Sequence, residues 1–477
     1  MIPHLFFYPL AVLGLLWLCV MLHAAWPSRG ATAQGTLAKS IMPRRQRAKE
    51  PKPFAGLTHK PSCALCEHET AHRPPRPPVR PDPMPPTTRR PRQVDTFPHF
   101  CPHAHCASRG WLGLGNLRAN GPPHGGPGRP CHGTACQGYF PEPHDTILHG
   151  KRGSVERLVR VLACLAEGLG MRAAARVFEV APNTVLGGLV AATEHLQALS
   201  RSFLCEVHVR QGQLDELYAV LRGRQDGKRS QDEASQRLDR SPQWVWAAID
   251  PESTLLLTID VGDRTLAMAQ RVVHQVVQVL APGCVPLFLT DGFKEYTTAL
   301  LTHCGRWVQP PRRQATGPAP KPRWMPLPGL LYAQVVKTMR RRRLVDVKHR
   351  VVFGTLEAVE QVLAACGWKI NTSFVERLNL DIRQHVAAVG RRVTTLCKGE
   401  EGVGQQLALY HMYYNFCLPH ASLRVPLPQP LPTHGTGSAQ QWQCSTPAMA
   451  AGLTDHVWTL REVLLFRVPP WPQPAGV

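Results

Sequence analysis

Lys and Arg outnumber Asp and Glu in this chain, 55 to 33, so an acid placed in an apolar run needs a reason. Asp215 falls mid-strand in "VRQGQLDELYAVL", where a carboxylate is expensive unless something compensates it. Asp291 ends the apolar run "CVPLFLTD" and precedes a Gly turn and a helix, which sets an acid at the C-terminal end of a buried strand. Glu376 lies in "VERLNLDIRQHVAAVGRR", where Val375, Leu378, Ile382 and Val389 form a core stripe. Glu376, Asn379 and Arg383, spaced by three and four, then share another face of that helix. Carboxylates are the hard oxygen ligands that Mg²⁺ prefers. Three of them can hold a pair of divalent ions that activate a water or a 3′-hydroxyl and stabilise the leaving oxygen of an in-line displacement at phosphorus. Asp250, Asp260 and Asp263 lie near neighbouring strands, and spacing alone leaves each open as a replacement for Asp215. Each acid also has a plain structural reading, as a paired strand acid, a helix cap or a solvated surface group.

A second constellation is made of sulphur. "CPHAHC" carries Cys101 and Cys106, "CHGTAC" carries Cys131 and Cys136, and a Gly-rich span of 24 residues separates the pairs. Four thiolates offered as two knuckles suit tetrahedral Zn²⁺, and a stretch this poor in apolar residues needs such a staple to fold. Both pairs have four intervening residues where two is the commoner spacing, and His103, His105 and His132 compete as ligands. Unliganded reduced thiols are the alternative. Cys63 and Cys66 of "CALC" form a closer pair with no second pair beside it.

The third motif is "LAEGLGMRAAARVFEVAPNTVLGGLVAATEHL". It predicts a helix ending near Gly168 to Gly170, a short helix over 171 to 178, a turn, and a further helix started by Pro182 and Asn183. Small Ala175 permits a close approach of the two later helices, and Val180 and Val185 seal the angle between them. This is a helix-turn-helix whose second helix suits the DNA major groove, with Asn183 and Thr184 as its DNA-binding residues. Glu179 stands in the turn where Gly is frequent, and an ordinary helical hairpin is the competing reading.

These residues need elements to hold them. Residues 203–308 alternate short apolar runs with helical ones, the pattern of an α/β mixed sheet with crossover helices. A strand is expected at 330–337, the basic run "RRRR" at 340–343, and helices at 355–366, 371–390 and near 402–416. The domain reading is an apolar segment 1–26, a Pro/Arg-rich linker 27–98, a zinc-ribbon-like module 99–140, a helix-turn-helix domain 150–200 and a catalytic domain 203–420. Polar or Pro-rich insertions at 222–241 and 309–345 enlarge the last, and a Pro-rich tail, 421–477, follows it. The linker's composition buries too little surface to fold.

At 477 residues with 43% hydrophobic content, the chain has room for at least one large core. Its net charge of +22 points to a polyanionic partner, nucleic acid first. The 15 cysteines are odd in number and several sit in apolar runs, which argues for a reducing compartment over a secreted disulfide framework. Leu5 to Ala25 has no Asp, Glu, Lys or Arg over 21 residues, long enough to cross a bilayer as a helix. The Arg and Lys residues that follow would keep the body on the cytoplasmic side. An upstream start codon or a cleaved signal are the other readings. A cytoplasmic, nucleoid-associated protein with a candidate N-terminal membrane anchor is the resulting expectation.

"QLDELY", "GDRT", "LTDGFKEY" and above all "VERLNLDIRQHVAAVGRR", followed by "LCKGEEG" and "YHMYYNF", resemble the transposases of bacterial insertion sequences of the insertion-sequence-one type. The resemblance runs from about 100 to 420, in the order zinc ribbon, helix-turn-helix and ribonuclease-H-like catalytic domain with an Asp, Asp, Glu triad. It implies that Asp215, Asp291 and Glu376 are the catalytic metal ligands, with Mg²⁺ or Mn²⁺, cleaving transposon ends and joining them to target DNA. It also implies that Asn379, Arg383, Arg391, Arg392 and Lys398 hold DNA phosphates near the metals, a track that Arg340 to Arg343 extends, and that the protein assembles as a homo-oligomer on DNA. Tyr218 departs from the Trp common there, the cysteine pairs are wider, and the N-terminal 98 residues have no counterpart in short members. The rival readings are a zinc-ribbon and helix-turn-helix regulator, membrane-tethered or not, with a relic catalytic domain, and an unrelated metal-dependent nuclease.

Overall fold

The computed structural model describes residues 99–119, 130–150, 153–219, 243–312, 320–340, 343–390, 399–432 and 438–470. The apolar run 5–25, the linker 27–98 with Cys63 and Cys66, the insertion 222–241, and Arg391, Arg392 and Lys398 lie outside the described residues. Among the described residues no helix is long and apolar enough to cross a membrane.

Six strands form the central sheet: β4 (Gln211–Tyr218), β5 (Trp244–Asp250), β6 (Leu255–Gly262), β7 (Leu287–Asp291), β10 (Tyr332–Arg340) and β11 (Arg343–Phe353), in the order β11-β10-β7-β4-β5-β6. β4, β5 and β6 are an antiparallel meander, while β7 runs parallel to both β4 and β10. Parallel neighbours need crossovers, and helices α4 (Leu266–Val279) and α5 (Glu295–His303) lie in those connections. This mixed α/β sheet with helices is compatible with a ribonuclease-H-like fold.

Strand alternation divides the core. On β5, Trp246 and Ala248 face a cluster with Val272, Val273 and Val276 of α4 and Tyr296 of α5. Val245, Ala247 and Ile249 face the opposite side, with Val375, Leu378 and Ile382 of α7 (Ser373–His385) and Val403, Leu407 and Tyr410 of α8 (Glu400–Met412). A third cluster joins Leu287, Leu289, Ala333 and Val335 to Val359 and Leu363 of α6 (Leu356–Ala364). The period of two is what a strand covered on both faces requires. Buried Asn415, in "YHMYYNF", bonds both backbone groups of Leu256 at 2.9 Å, satisfying edge strand β6.

The three-helix motif is α1 (Val155–Ala166), α2 (Met171–Val177) and α3 (Pro182–Phe203). Ser154 caps α1, and Pro182 opens α3 at its first turn. Glu179 takes the turn with φ of 52°, a left-handed conformation that favours Gly. Close approach ties this motif to the rest: a Cβ at Gly168 would stand 2.2 Å from the Gln384 carbonyl in the last turn of α7. Before it, β1 (Leu117–Ala119), β2 (Pro130–Gly133) and β3 (Tyr139–Pro141) make a small antiparallel sheet in the order β1-β2-β3.

Three sequence expectations change. The helix expected over 371–390 ends at His385, because Val386 takes extended backbone, and Val389 is buried in the following turn. The region 309–345 is not a simple insertion: β10 is an inner strand, and β8 (Gly305–Val308) pairs with β9 (Arg323–Pro326) as a hairpin. The segment after 420 is not a bare tail. β12 (Val425–Leu431) and β13 (Gln440–Gln443) form a hairpin, α9 (Pro447–Ala450) follows, and α10 (Leu460–Leu465) sends Leu460, Val463 and Leu464 into the core. Trp458 packs there among Phe203, Phe416 and Phe466 at ring separations of 5.2, 5.4 and 5.5 Å. The flanking prolines disguise an apolar stripe and a Thr459/Glu462 capping box.

Candidate active site and cysteine cluster

The parallel register brings the first two acids together. Leu214 pairs with Thr290 across β4 and β7, so Asp215, mid-way along β4, and Asp291, at the end of β7, follow side by side. Oxygens of Asp215, Glu216 and Asp291 all lie within 4.8 Å of one another. Asp291 is fixed from behind, its Oδ1 accepting from the Phe293 amide at 2.9 Å.

Glu376 stands outside this group of three. Its carboxylate accepts from Lys337 Nζ and, at 2.7 Å, from Thr372 Oγ1. It is near enough for its charge to act on Asp215. Burial first, then the charges of Asp291 and Glu376, push Asp215 up to about 7, against the opposing pull of a backbone hydrogen bond and of Lys337. The helix is set against the strand by Gln213, which is fully buried: its side chain donates to the Asn371 carbonyl at 3.0 Å and accepts from the Val375 amide at 3.2 Å.

Asn379 and Arg383 prove to face the sheet. Asn379 Nδ2 donates to Asp215 Oδ2 at 2.8 Å, and Arg383 donates to the Tyr218 carbonyl at 3.2 Å, so both anchor α7 to β4. Among the described residues, Asn379 Oδ1 is buried with no hydrogen-bond partner. An orphaned oxygen beside mutually repelling carboxylates fits a bound divalent ion or its water, since oxygen donors are what Mg²⁺ and Mn²⁺ select.

Four residues of this site escape a reading of the sequence. Glu216 is 7% exposed, and burial and the charge of Asp291 push its carboxyl up to about 7. Arg264 opposes that shift: its Nε donates to Glu216 at 2.6 Å, its guanidinium lies 3.6 Å from Asp291, and it stacks over Phe293 and Trp244 at 4.3 and 5.0 Å. Buried Tyr296 also donates to Glu216, at 3.2 Å. Lys337, paired with Glu376, is the fourth. The available signal is the pairing of a strand Glu with the Arg of "GDRT", but alternation alone sends Glu216 to the face opposite Asp215 and hides their closeness.

The competing acids have other work. Asp250 accepts from the Glu252 and Ser253 amides at 3.1 Å in the turn after β5. Asp260 pairs with Arg271 at 2.9 Å and accepts from Gln275 at 2.8 Å. Asp263 is exposed in the loop before α4. Asn183 and Thr184 are exposed in the first turn of α3. Arg340, Arg343, Lys348 and Arg350 are exposed along the β10–β11 hairpin.

Of the four expected zinc ligands, three converge: sulphurs of Cys101, Cys106 and Cys136 lie within 4.8 Å of one another, with Cys101 and Cys136 3.5 Å apart. Cys131 does not join them. It is fully buried on β2, two residues before Gly133, and it is Gly133 whose Cβ would meet Cys136 and Cys101 Sγ, at 3.2 and 3.6 Å. Two residues of strand carry Cys131 about 7 Å further along. Burial pushes the Cys101 thiol up to about 12.

No protein-family model matches this chain, and no curated protein matches it. Among solved structures it is similar to the crystal structure of the Mos1 strand transfer complex, at 14% sequence identity over 52% of this chain and 82% of that chain, with a TM-score of 0.15.

Proposed function

We propose that the chain is a DNA transposase that cuts the ends of a mobile element and joins them to target DNA by phosphoryl transfer. The observation that carries this reading is the convergence of Asp215 and Asp291 on adjacent parallel strands, with Glu376 close enough to raise the Asp215 pKa. In this reading Asp215, Asp291 and Glu376 hold Mg²⁺ or Mn²⁺. When bound, the ions polarise the phosphoryl oxygen, make a water or 3′-hydroxyl nucleophilic and neutralise the leaving oxygen.

The chain's own residues do the positioning. Asn379 orients the Asp215 carboxylate, Gln213 fixes the start of α7, and Arg264 restrains Glu216 and Asp291. Lys337 neutralises Glu376 until a cation takes its place. The net charge of +22 and the basic β10–β11 hairpin supply attraction for phosphates. Asn183 and Thr184 at the exposed start of α3 read the major groove, the cysteine module carries zinc, and joining two ends engages two copies of the chain.

The test uses labelled DNA from either side of the gene, searched for terminal inverted repeats, with a plasmid target and Mg²⁺ or Mn²⁺. Cleavage at the repeat ends followed by joining to plasmid is expected, and both steps are lost in Asp215→Asn and Asp291→Asn. DNA binding with no cleavage in either metal would replace this reading with that of a DNA-binding regulator.

A further inference from the structure

Three thiolates leave a structural zinc site one ligand short, because such sites are almost always four-coordinate. We propose that Cys101, Cys106 and Cys136 hold zinc together with His103, which ligates through Nε2, and that Cys131 takes no part. The inference rests on the cysteine cluster alone and is independent of what the acidic site does.

The imidazole carries its own evidence. His103 Nε2 is buried, and among the described residues it has no hydrogen-bond partner; an unsatisfied buried nitrogen is unfavourable unless something binds it. It borders the same small space as the cluster: a Cβ at Gly138 would stand 2.5 Å from His103 Nε2 and 3.2 Å from Cys136 Sγ. The absent side chain at Gly138 leaves room for the ring beside Cys136; His103 Nε2 is not within 4.8 Å of all three sulphurs, so ligation needs a small turn of the ring into that space. The ring packs edge-on to Phe140 at 6.2 Å, a restraint on the face away from solvent.

The other histidines are less suited. His105 stacks on the His103 ring with centroids 5.7 Å apart but is exposed, and His132 packs on Tyr139 with ring centroids 4.6 Å apart. Cys131 is fully buried on β2 in the same small apolar cluster as Cys101, Cys106, Leu117 and Phe140, but its sulphur does not lie within 4.8 Å of all three of the others. Gly133 is the β2 position next to the sulphurs, where a Cβ would stand 3.2 Å from Cys136 Sγ and 3.6 Å from Cys101 Sγ, so a cysteine introduced there would offer a fourth thiolate.

The test is a Co²⁺ titration of the full chain, followed through the sulphur-to-cobalt charge-transfer band and reversed with Zn²⁺, with far-ultraviolet circular dichroism to monitor folding. Wild type and Cys131→Ser are expected to bind alike, with a band of three-thiolate intensity. His103→Ala is expected to weaken Zn²⁺ binding at least about tenfold, the order of effect seen when metal sites lose a supporting group. Adding Gly133→Cys to His103→Ala restores binding with a band of four-thiolate intensity, which separates a lost ligand from a lost fold. The proposal is overturned if Cys131→Ser weakens binding while His103→Ala does not, or if wild type shows no sulphur-to-cobalt band.

Discussion

Asn379 donates from Nδ2 to Asp215 Oδ2 at 2.8 Å across 164 residues of sequence, so the helix that carries Glu376 is latched directly to the carboxylate it serves. Its other amide atom, Oδ1, is buried without a partner among the described residues. One side chain therefore both orients Asp215 and keeps a buried oxygen without a partner next to the acidic site.

Replacing Asn379 by Ala removes that latch without emptying the core. DNA cleavage in Mg²⁺ is expected to fall about 10- to 100-fold, the range typical of groups that orient metal ligands. Melting temperature and DNA affinity are expected to change little. Wild-type cleavage rates in this variant, measured on the same substrate, would show that Asp215 needs no such support.

The raised carboxyls make stability depend on pH in a definite direction. Asp215 is shifted from 3.8, and Glu216 from 4.5, to about 7 in the folded chain. Below pH 3.8 both groups are protonated in folded and unfolded chains alike and contribute no difference. Between there and about 7 the unfolded chain releases protons that the folded chain retains, so metal-free stability falls as pH rises and the penalty is complete above about 7. A divalent cation reverses this by favouring the ionised forms. The Mg²⁺-induced rise in melting temperature is expected to be larger at about pH 8 than at about pH 5, on either side of the folded-state values, and to shrink in Asp215→Asn. Equal shifts at both pH values would contradict the shared site.

Lys337 competes for Glu376. In Lys337→Met the carboxylate loses its ion-pair partner, and apparent Mn²⁺ affinity is expected to rise about fivefold, as about 1 kcal/mol of charge repulsion is relieved in a partly exposed site. Unchanged or weaker Mn²⁺ binding would mean that Glu376 does not meet the ion.

The exposed hairpin cations bear on DNA in general rather than on one sequence. Removing Arg343 and Arg350 together is expected to weaken binding to unrelated duplexes uniformly. For every phosphate left without its cation, the slope of log affinity against log salt should become shallower by about 0.9. An unaltered slope would take the β10–β11 hairpin out of the DNA path.

Much of this arrangement is legible in the sequence, and the parts that are not fail for physical reasons. Asp291 is readable because an apolar strand ending in an acid is a local pattern, and α1, α2 and α3 because Pro182, Ser154 and the apolar spacing are local too. β11 is not, because its first eight residues are exposed and heavily charged and it exists only by pairing with β10. Glu216 is hidden because its closeness to Asp291 depends on the register of β4 with β7, a long-range property. Cys131 is easily over-read: pair spacing counts residues, whereas the strand carrying it decides which residue faces the cluster, and that residue is Gly133. The fold of 447–465 is concealed by prolines on either side of an ordinary capped helix.

A paramagnetic titration examines the acidic site most directly. Free Mn²⁺ gives a sharp resonance signal that disappears when the ion is bound by protein carboxylates, so the full chain can be titrated and compared with Asp215→Asn/Asp291→Asn. Wild type should quench the signal saturably, compete with Mg²⁺ and nick plasmid DNA over the same Mn²⁺ range, while the double variant does neither. Equal quenching and equal nicking by wild type and the double variant would place the metal chemistry away from these two carboxylates.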